Sequence, residues 1–134
     1  MNFIEFTKNE LIGVNSIDEQ HQSMVLIVNK LYDKIIASDK KMIHNYLYKF
    51  LEVVEVHFET EENMMKSTKY HGYISHKLEH DRFYRQILTS TDRFSKGLES
   101  IGTEQLKSIK RWLFNHIELN DKKCGEYFVE NGIT

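Results

Sequence analysis

The chain has 134 residues, 40% hydrophobic and 28% charged, enough to close one apolar core without disulfides or other staples. A formal charge of -2 gives no basic face for nucleic acid, and a single cysteine, Cys124, rules out an internal disulfide. No apolar run reaches the roughly 7–15 residues of a signal-peptide core or the roughly 20 of a membrane span, so the chain is expected to be cytoplasmic, complete and off the membrane.

Proline is absent, and the six glycines stand at positions 13, 72, 97, 102, 125 and 132, leaving long breaker-free stretches that favour helices. After an N-terminal arm, the spacing predicts a first helix over 17–37. Ser16 is its expected cap, with Glu19 closing a capping box. Its inward stripe is His21, Met24, Val25, Val28, Leu31, Tyr32 and Ile35, at steps of three and four. Ser38 and Asp39 are candidate caps for a second helix over 40–66, whose stripe runs Ile43, Tyr46, Leu47, Phe50, Val54, His57, Glu61 and Met64. A third helix over 73–96 aligns His76, His80, Phe83, Ile87, Thr91 and Phe94. The fourth, over 103–121, takes Thr103 as cap and carries Leu106, Ile109, Leu113, His116 and Ile117, with Asp121 at its end. The tail from Cys124 to Thr134 is left unplaced beyond a short turn of helix. Long helices joined by short loops imply antiparallel neighbours, so the expected fold is all-α: an up-down-up-down four-helix bundle with an N-terminal arm and a short C-terminal tail.

Polar residues interrupt these apolar stripes. His57 and Glu61 are four apart on the second helix, as are His76 and His80 on the third. In an antiparallel bundle the starts of helices one and three lie level with the ends of two and four. His21, His57, Glu61, His76, His80, His116 and Asp121 therefore fall at one end, facing inward. Singly these motifs are weak: among 7 histidines and 20 acidic residues, about one His-x3-acid pair arises by chance. A lone inward histidine is ordinarily a hydrogen-bonded core residue. Together they pose a charge problem, because desolvating two carboxylates costs several kcal/mol each and no lysine or arginine lies on those stripes. A metal cation supplies the missing charge and takes neutral imidazole as ligand. Five imidazoles, two bridging carboxylates and one bridging hydroxide fill all but one position of two octahedral ions. A set without thiolate suits iron or manganese better than zinc, and an open position on a redox-active ion suits a small ligand such as dioxygen.

The runs Ser16-Ile17-Asp18-Glu19-Gln20-His21, His57-Phe58-x-x-Glu61-Glu62, His76-x3-His80 and Trp112-Leu113-x-x-His116-Ile117-x3-Asp121 resemble the hemerythrins of the single-domain bacterial type, over nearly the whole chain. That resemblance implies one hemerythrin-like domain over 1–134. It implies two iron ions bridged by an oxo or hydroxo group. His76, His80 and His116 would complete one iron, His21 and His57 would hold the other, and Glu61 and Asp121 would bridge them. Dioxygen would bind reversibly at the open iron, beside an apolar wall of Leu113 and Ile117. Phe6 departs from the family, which usually has tryptophan in the arm. Cys124 reads as a small buried filler, His44 and His71 as surface or loop residues, and Trp112, Met64 and Met65 as packing. Glu62 points about 100° away from Glu61 and is left outside the ligand set.

The function expected is non-catalytic carriage, storage or delivery of dioxygen by a monomer. The alternatives are a diiron enzyme reducing peroxide or nitric oxide, an oxygen or iron sensor, or an iron-cluster repair protein. An oxygen acceptor or electron-donor protein is left open as a partner.

Overall fold

A computed structural model describes residues 2–134, and in it the breaker-free stretches are helices: α1 (Asn15–Ile36), α2 (Lys40–Ser67), α3 (Tyr73–Ser95), α4 (Thr103–Asn115) and α5 (Lys122–Glu130). Among the described residues there is no strand, and no helix is long and apolar enough to cross a membrane. α1 packs on α2 and α4, and α2 also packs on α3. His21, early in α1, meets His57, late in α2, and His76, early in α3, meets His116 just past α4. Neighbouring helices are therefore antiparallel, and the four long elements form an up-down-up-down bundle.

Local chemistry sets the helix ends, in places differently from the sequence expectation. Ser16 does not cap α1: the helix starts at Asn15 after Val14, which makes no side-chain cap. The carboxylate of Asp18 instead turns back to accept from the N–H groups of Ile12 (2.8 Å) and Gly13 (3.3 Å), tying the arm to the first turn. Asp39 caps α2 by accepting from the N–H of Met42 at 3.1 Å, while Ser38 occupies the turn with φ 53. Thr103 is the first residue of α4, and the preceding Gly102 N–H is satisfied by the side chain of Gln105 at 2.8 Å.

Two apolar clusters flank the polar residues. The larger joins all four long helices through Met24, Val28, Leu31, Leu47, Phe50, Val54, Phe58, Phe83, Leu106 and Leu113, with Phe6 of the arm partly buried against it. The smaller gathers Ile12, Val14, Ile17, Met65, Tyr70, Ile117, Cys124 and Phe128 at the other end. Met65, not Met64, is the fully buried methionine of this pair.

The C-terminal tail departs most from expectation. It is helical to Glu130 and continuous with α4 through a π-helical turn, His116–Asp121. Gly125, whose glycine argues for a break, lies buried inside α5 because a Cβ there would come within 2.8 Å of the Ile12 carbonyl oxygen. The helix needs glycine to let the arm approach, not to end.

Candidate metal centre

Each helix brings its polar groups to the same depth, between the two apolar clusters. On α2, Glu61 lies between Phe58 of the larger cluster and Met65 of the smaller; on α4 and the π turn, His116 lies between Leu113 and Ile117. The π turn solves a problem of register. In an α-helix, residues five apart point about 140° from one another, so His116 and Asp121 would not share a face. The wider turn returns residue i+5 to the line of residue i, and both side chains are buried toward the same centre. The spacing His-x4-Asp carried that signal in the sequence.

All seven candidate residues converge, in two overlapping groups: Glu61, His76, His80, His116 and Asp121; and His21, His57, Glu61 and Asp121. The carboxylates belong to both, and each divides its oxygens. Asp121 Oδ1 lies 3.1 Å from His76 Nε2 and 2.9 Å from His116 Nε2, while Oδ2 lies 2.8 Å from His21 Nε2 and 3.7 Å from His57 Nε2. Glu61 Oε1 faces His76, His80 (3.2 Å) and His116 (3.9 Å), while Oε2 faces His57 at 3.4 Å. Both carboxylates are 0% exposed.

The residues fit a cation and fit little else. His80 and His57 turn their Nδ1 atoms toward acceptors, Glu62 Oε2 at 2.9 Å and Gln20 Oε1 at 3.0 Å. Those acceptors place the ring proton on Nδ1 and leave a lone pair on Nε2. His80 Nε2 and His116 Nε2 are then 2.9 Å apart, His76 Nε2 and His116 Nε2 3.2 Å, and His21 Nε2 and His57 Nε2 3.1 Å. Two lone pairs do not converge at such distances, so each close pair needs a proton or a metal cation between its nitrogens. Meanwhile both oxygens of Glu61 and Oδ1 of Asp121 are buried without a geometrically sound hydrogen bond, which native interiors rarely tolerate.

Protons alone meet the charge at a price in basicity. Burial opposes a charge on His116, but Asp121 and Glu61 overcome it and raise its pKa to about 10. His76, opposed by burial in the same way, is raised by Asp121 and Glu61 to about 9. Burial also pushes the two acids toward the neutral form, yet the surrounding histidines, His116 foremost, hold both below the usual carboxylate range. For His57, burial prevails and lowers the pKa.

The remaining singled-out residues take simpler places. Leu113 and Ile117 are buried, one in each apolar cluster. Trp112 stacks on His116 (centroids 4.4 Å, 12°) and Phe58 on His80 (3.8 Å, 4°), so both pack directly on candidate ligands. Burial, reinforced by Glu61 and Asp121, pushes the Cys124 thiol far up, keeping it protonated. His71 is exposed, and His44 is half-buried edge-on to Tyr48. Sequence reasoning missed the outer partners Gln20, Glu79 and Asn120 and left Glu62 out, because none lies on an inward stripe.

Residues 12–127 match the family described as the hemerythrin HHE cation binding domain. The chain belongs to the hemerythrin family. It is 30% identical to a bacteriohemerythrin of Methylococcus capsulatus over 113 residues, 84% of this chain and 86% of the relative. A bacteriohemerythrin of Pseudomonas aeruginosa is 32% identical over 109 residues, 81% of this chain and 71% of that protein. A hemerythrin-like protein of Naegleria gruberi is 30% identical over 112 residues, 84% of this chain and 82% of its own. Among solved structures, the wild-type form of a hemerythrin superposes with a TM-score of 0.91 at 28% identity, covering 94% of this chain and 98% of that one.

Proposed function

We propose that this hemerythrin-family chain, as one domain over 1–134, holds two iron ions at the seven-residue centre and binds dioxygen there reversibly. The observation that carries the reading is the division of oxygens in Glu61 and Asp121, each turning one oxygen to the three-histidine group and one to the two-histidine group. A carboxylate so placed would serve two cations at once. His76, His80 and His116 would hold one ion and His21 and His57 the other, with an oxo or hydroxo group as third bridge. A ferrous pair supplies two electrons and one open position, which is what reversible dioxygen binding requires.

The chain's own residues supply the rest. Glu62 and Gln20 keep the Nδ1 protons of His80 and His57 in place, so that Nε2 stays a ligand atom. Leu113 and Ile117, 3% and 2% exposed, wall the centre with hydrocarbon and keep water from displacing the ligand. Cys124, a buried protonated thiol, suits a reducing cytoplasm and takes no part. Carriage, storage or delivery fits this arrangement more directly than catalysis, because the other buried titratable groups that feel Glu61 and Asp121, Cys124 and Tyr70, are pushed by burial toward their neutral forms.

Release under vacuum tests the proposal. Iron-loaded protein exposed to air should develop a visible charge-transfer band that disappears under vacuum and returns on readmission of air, with two irons per chain by elemental analysis. A band that bleaches irreversibly within seconds would favour an oxidase or a peroxide- or nitric oxide-reducing enzyme.

A further inference from the structure

An imidazole that uses Nε2 as a ligand has one remaining handle, the proton on Nδ1, and the two halves of the centre hold that handle differently. On the three-histidine half, two of the three histidines turn Nδ1 toward an anion. His80 Nδ1 donates to Glu62 Oε2 at 2.9 Å, and His116 Nδ1 lies 3.4 Å from Glu79 Oε2. Asn120 Nδ2 also donates to Glu79 and lies 3.3 Å from His116 Nδ1. With Nε2 turned inward both of these nitrogens are donors, so they cannot bond each other and converge on the Glu79 carboxylate. On the two-histidine half no anion takes part. His57 Nδ1 donates to the neutral amide oxygen of Gln20 at 3.0 Å, and Gln20 is itself anchored to Thr60 at 3.0 Å. His21 Nδ1 is buried with no partner at all.

A carboxylate that accepts the Nδ1 proton draws it outward and makes Nε2 a stronger donor; an amide does so weakly. Glu62 is well placed for this, with its side chain 16% exposed. The lysine paired with it, Lys77, stands 3.6 Å away and is shared with Asp81, to which it is closer at 3.1 Å. We infer that Glu62, seconded by Glu79, makes the three-histidine half the electron-rich position that holds its metal more tightly, leaving the two-histidine half the exchangeable one. Glu62 is a positioning residue here: it acts through His80 and touches no ion. The inference rests on the two-ion reading above.

Ligand number alone already favours the three-histidine half, so the order of loss is not by itself the test; the charge on Glu62 is. The full-length chain loaded anaerobically with Co2+ would be stripped stepwise with a calibrated chelator, the visible cobalt bands reporting each ion. Glu62→Gln retains an acceptor for His80 while removing the charge. It should weaken the last-released ion roughly tenfold, within the 10- to 100-fold range usual for such outer partners, and leave the first-released ion unchanged. Gln20→Glu is the mirror experiment and should tighten the first-released ion severalfold. Equal weakening of both steps, an unchanged last step, or weakening confined to the first step in Glu62→Gln would each overturn the inference while leaving the two-ion reading standing. A parent protein that releases only one ion would remove both. A purely structural role for Glu62 predicts no change in Glu62→Gln, since the hydrogen bond survives.

Discussion

Toward the α1–α2 turn the bundle interior is hydrocarbon: Leu31, Ile43, Leu47, Phe50 and Leu106 are each under 5% exposed and belong to one apolar cluster. Half a bundle away the same four helices bury five imidazoles and two carboxylates. The first region stabilises itself, at about 1.5–3 kcal/mol for each large side chain removed from water. The second consumes desolvation energy and recovers it only when positive charge enters. One fold thus carries a region that needs no ligand beside one whose residues make sense only around a ligand, and the two should fail in different ways.

The sharpest break comes from the shared carboxylates. Glu61→Ala removes one of the two groups that face both halves, and the protein should lose both ions, read as metal per chain after gel filtration. Thermal stability should fall with them, because metal binding is coupled to folding. A variant that kept two ions and reversible dioxygen binding would dismantle the bridging assignment. Next in size is the dry region: Phe50→Ala should cost about 3–5 kcal/mol in urea unfolding, yet the folded fraction should still take up two ions per chain. Loss of metal in that variant, under conditions where it remains folded, would show that the two regions are not separable.

Leu113 belongs to the dry cluster but adjoins His116, so it joins the two regions. Leu113→Ala should cost about 2–5 kcal/mol, and the visible band of the oxygenated protein should decay severalfold faster in air at fixed pH. Decay at the parent rate would mean that Leu113 packs the core without guarding the site. The smallest effect is the response to pH. After chelation, His76 and His116 titrate near 9 and 10 in the folded chain, above the ordinary 6.5. Groups raised in the folded state contribute stability that is complete below 6.5 and is lost as pH rises through 9 and 10. The metal-free protein should therefore melt progressively lower from about pH 6.5 to 10, measured by circular dichroism. The loaded protein, which uses neutral imidazole, should not follow it down.

The dry region was also the easier one to read from sequence. Apolar residues at steps of three and four in 17–37, 40–66 and 73–96 point to helices, and the antiparallel order follows from short loops. The meeting of the five histidines and Glu61 at one depth was legible from the same periodicity; Asp121, five residues past His116, needs the π turn to join them, and what the groups hold is not contained in the pattern. The illegible parts were those where a residue acts sideways or over a distance. Gly125 reads as a break until the Ile12 carbonyl is brought against it. Glu62 sits one residue off the inward stripe yet reaches His80 from the helix flank. Glu79 and Asn120 are 41 positions apart and meet only in the folded chain. Asp18 does not read as a cap in the sequence because its backbone partners lie behind it, in the arm.

The π turn at His116–Asp121 bears on how this chain can change over generations. Compared with an α-helix it contains, in effect, one inserted residue, and everything beyond it depends on that count. Exposed Glu118 and Leu119 can be exchanged freely as far as burial is concerned. Deleting either one would convert His-x4-Asp to His-x3-Asp, and an ordinary α-helix already places residues four apart on one face. The segment would relax to α-helical winding with Asp121, Cys124 and Phe128 still turned inward. Unwinding the π turn with every residue kept is what would rotate all that follows by about 100° and carry Asp121 away from the centre. In this stretch of the chain, residue count and winding have to change together.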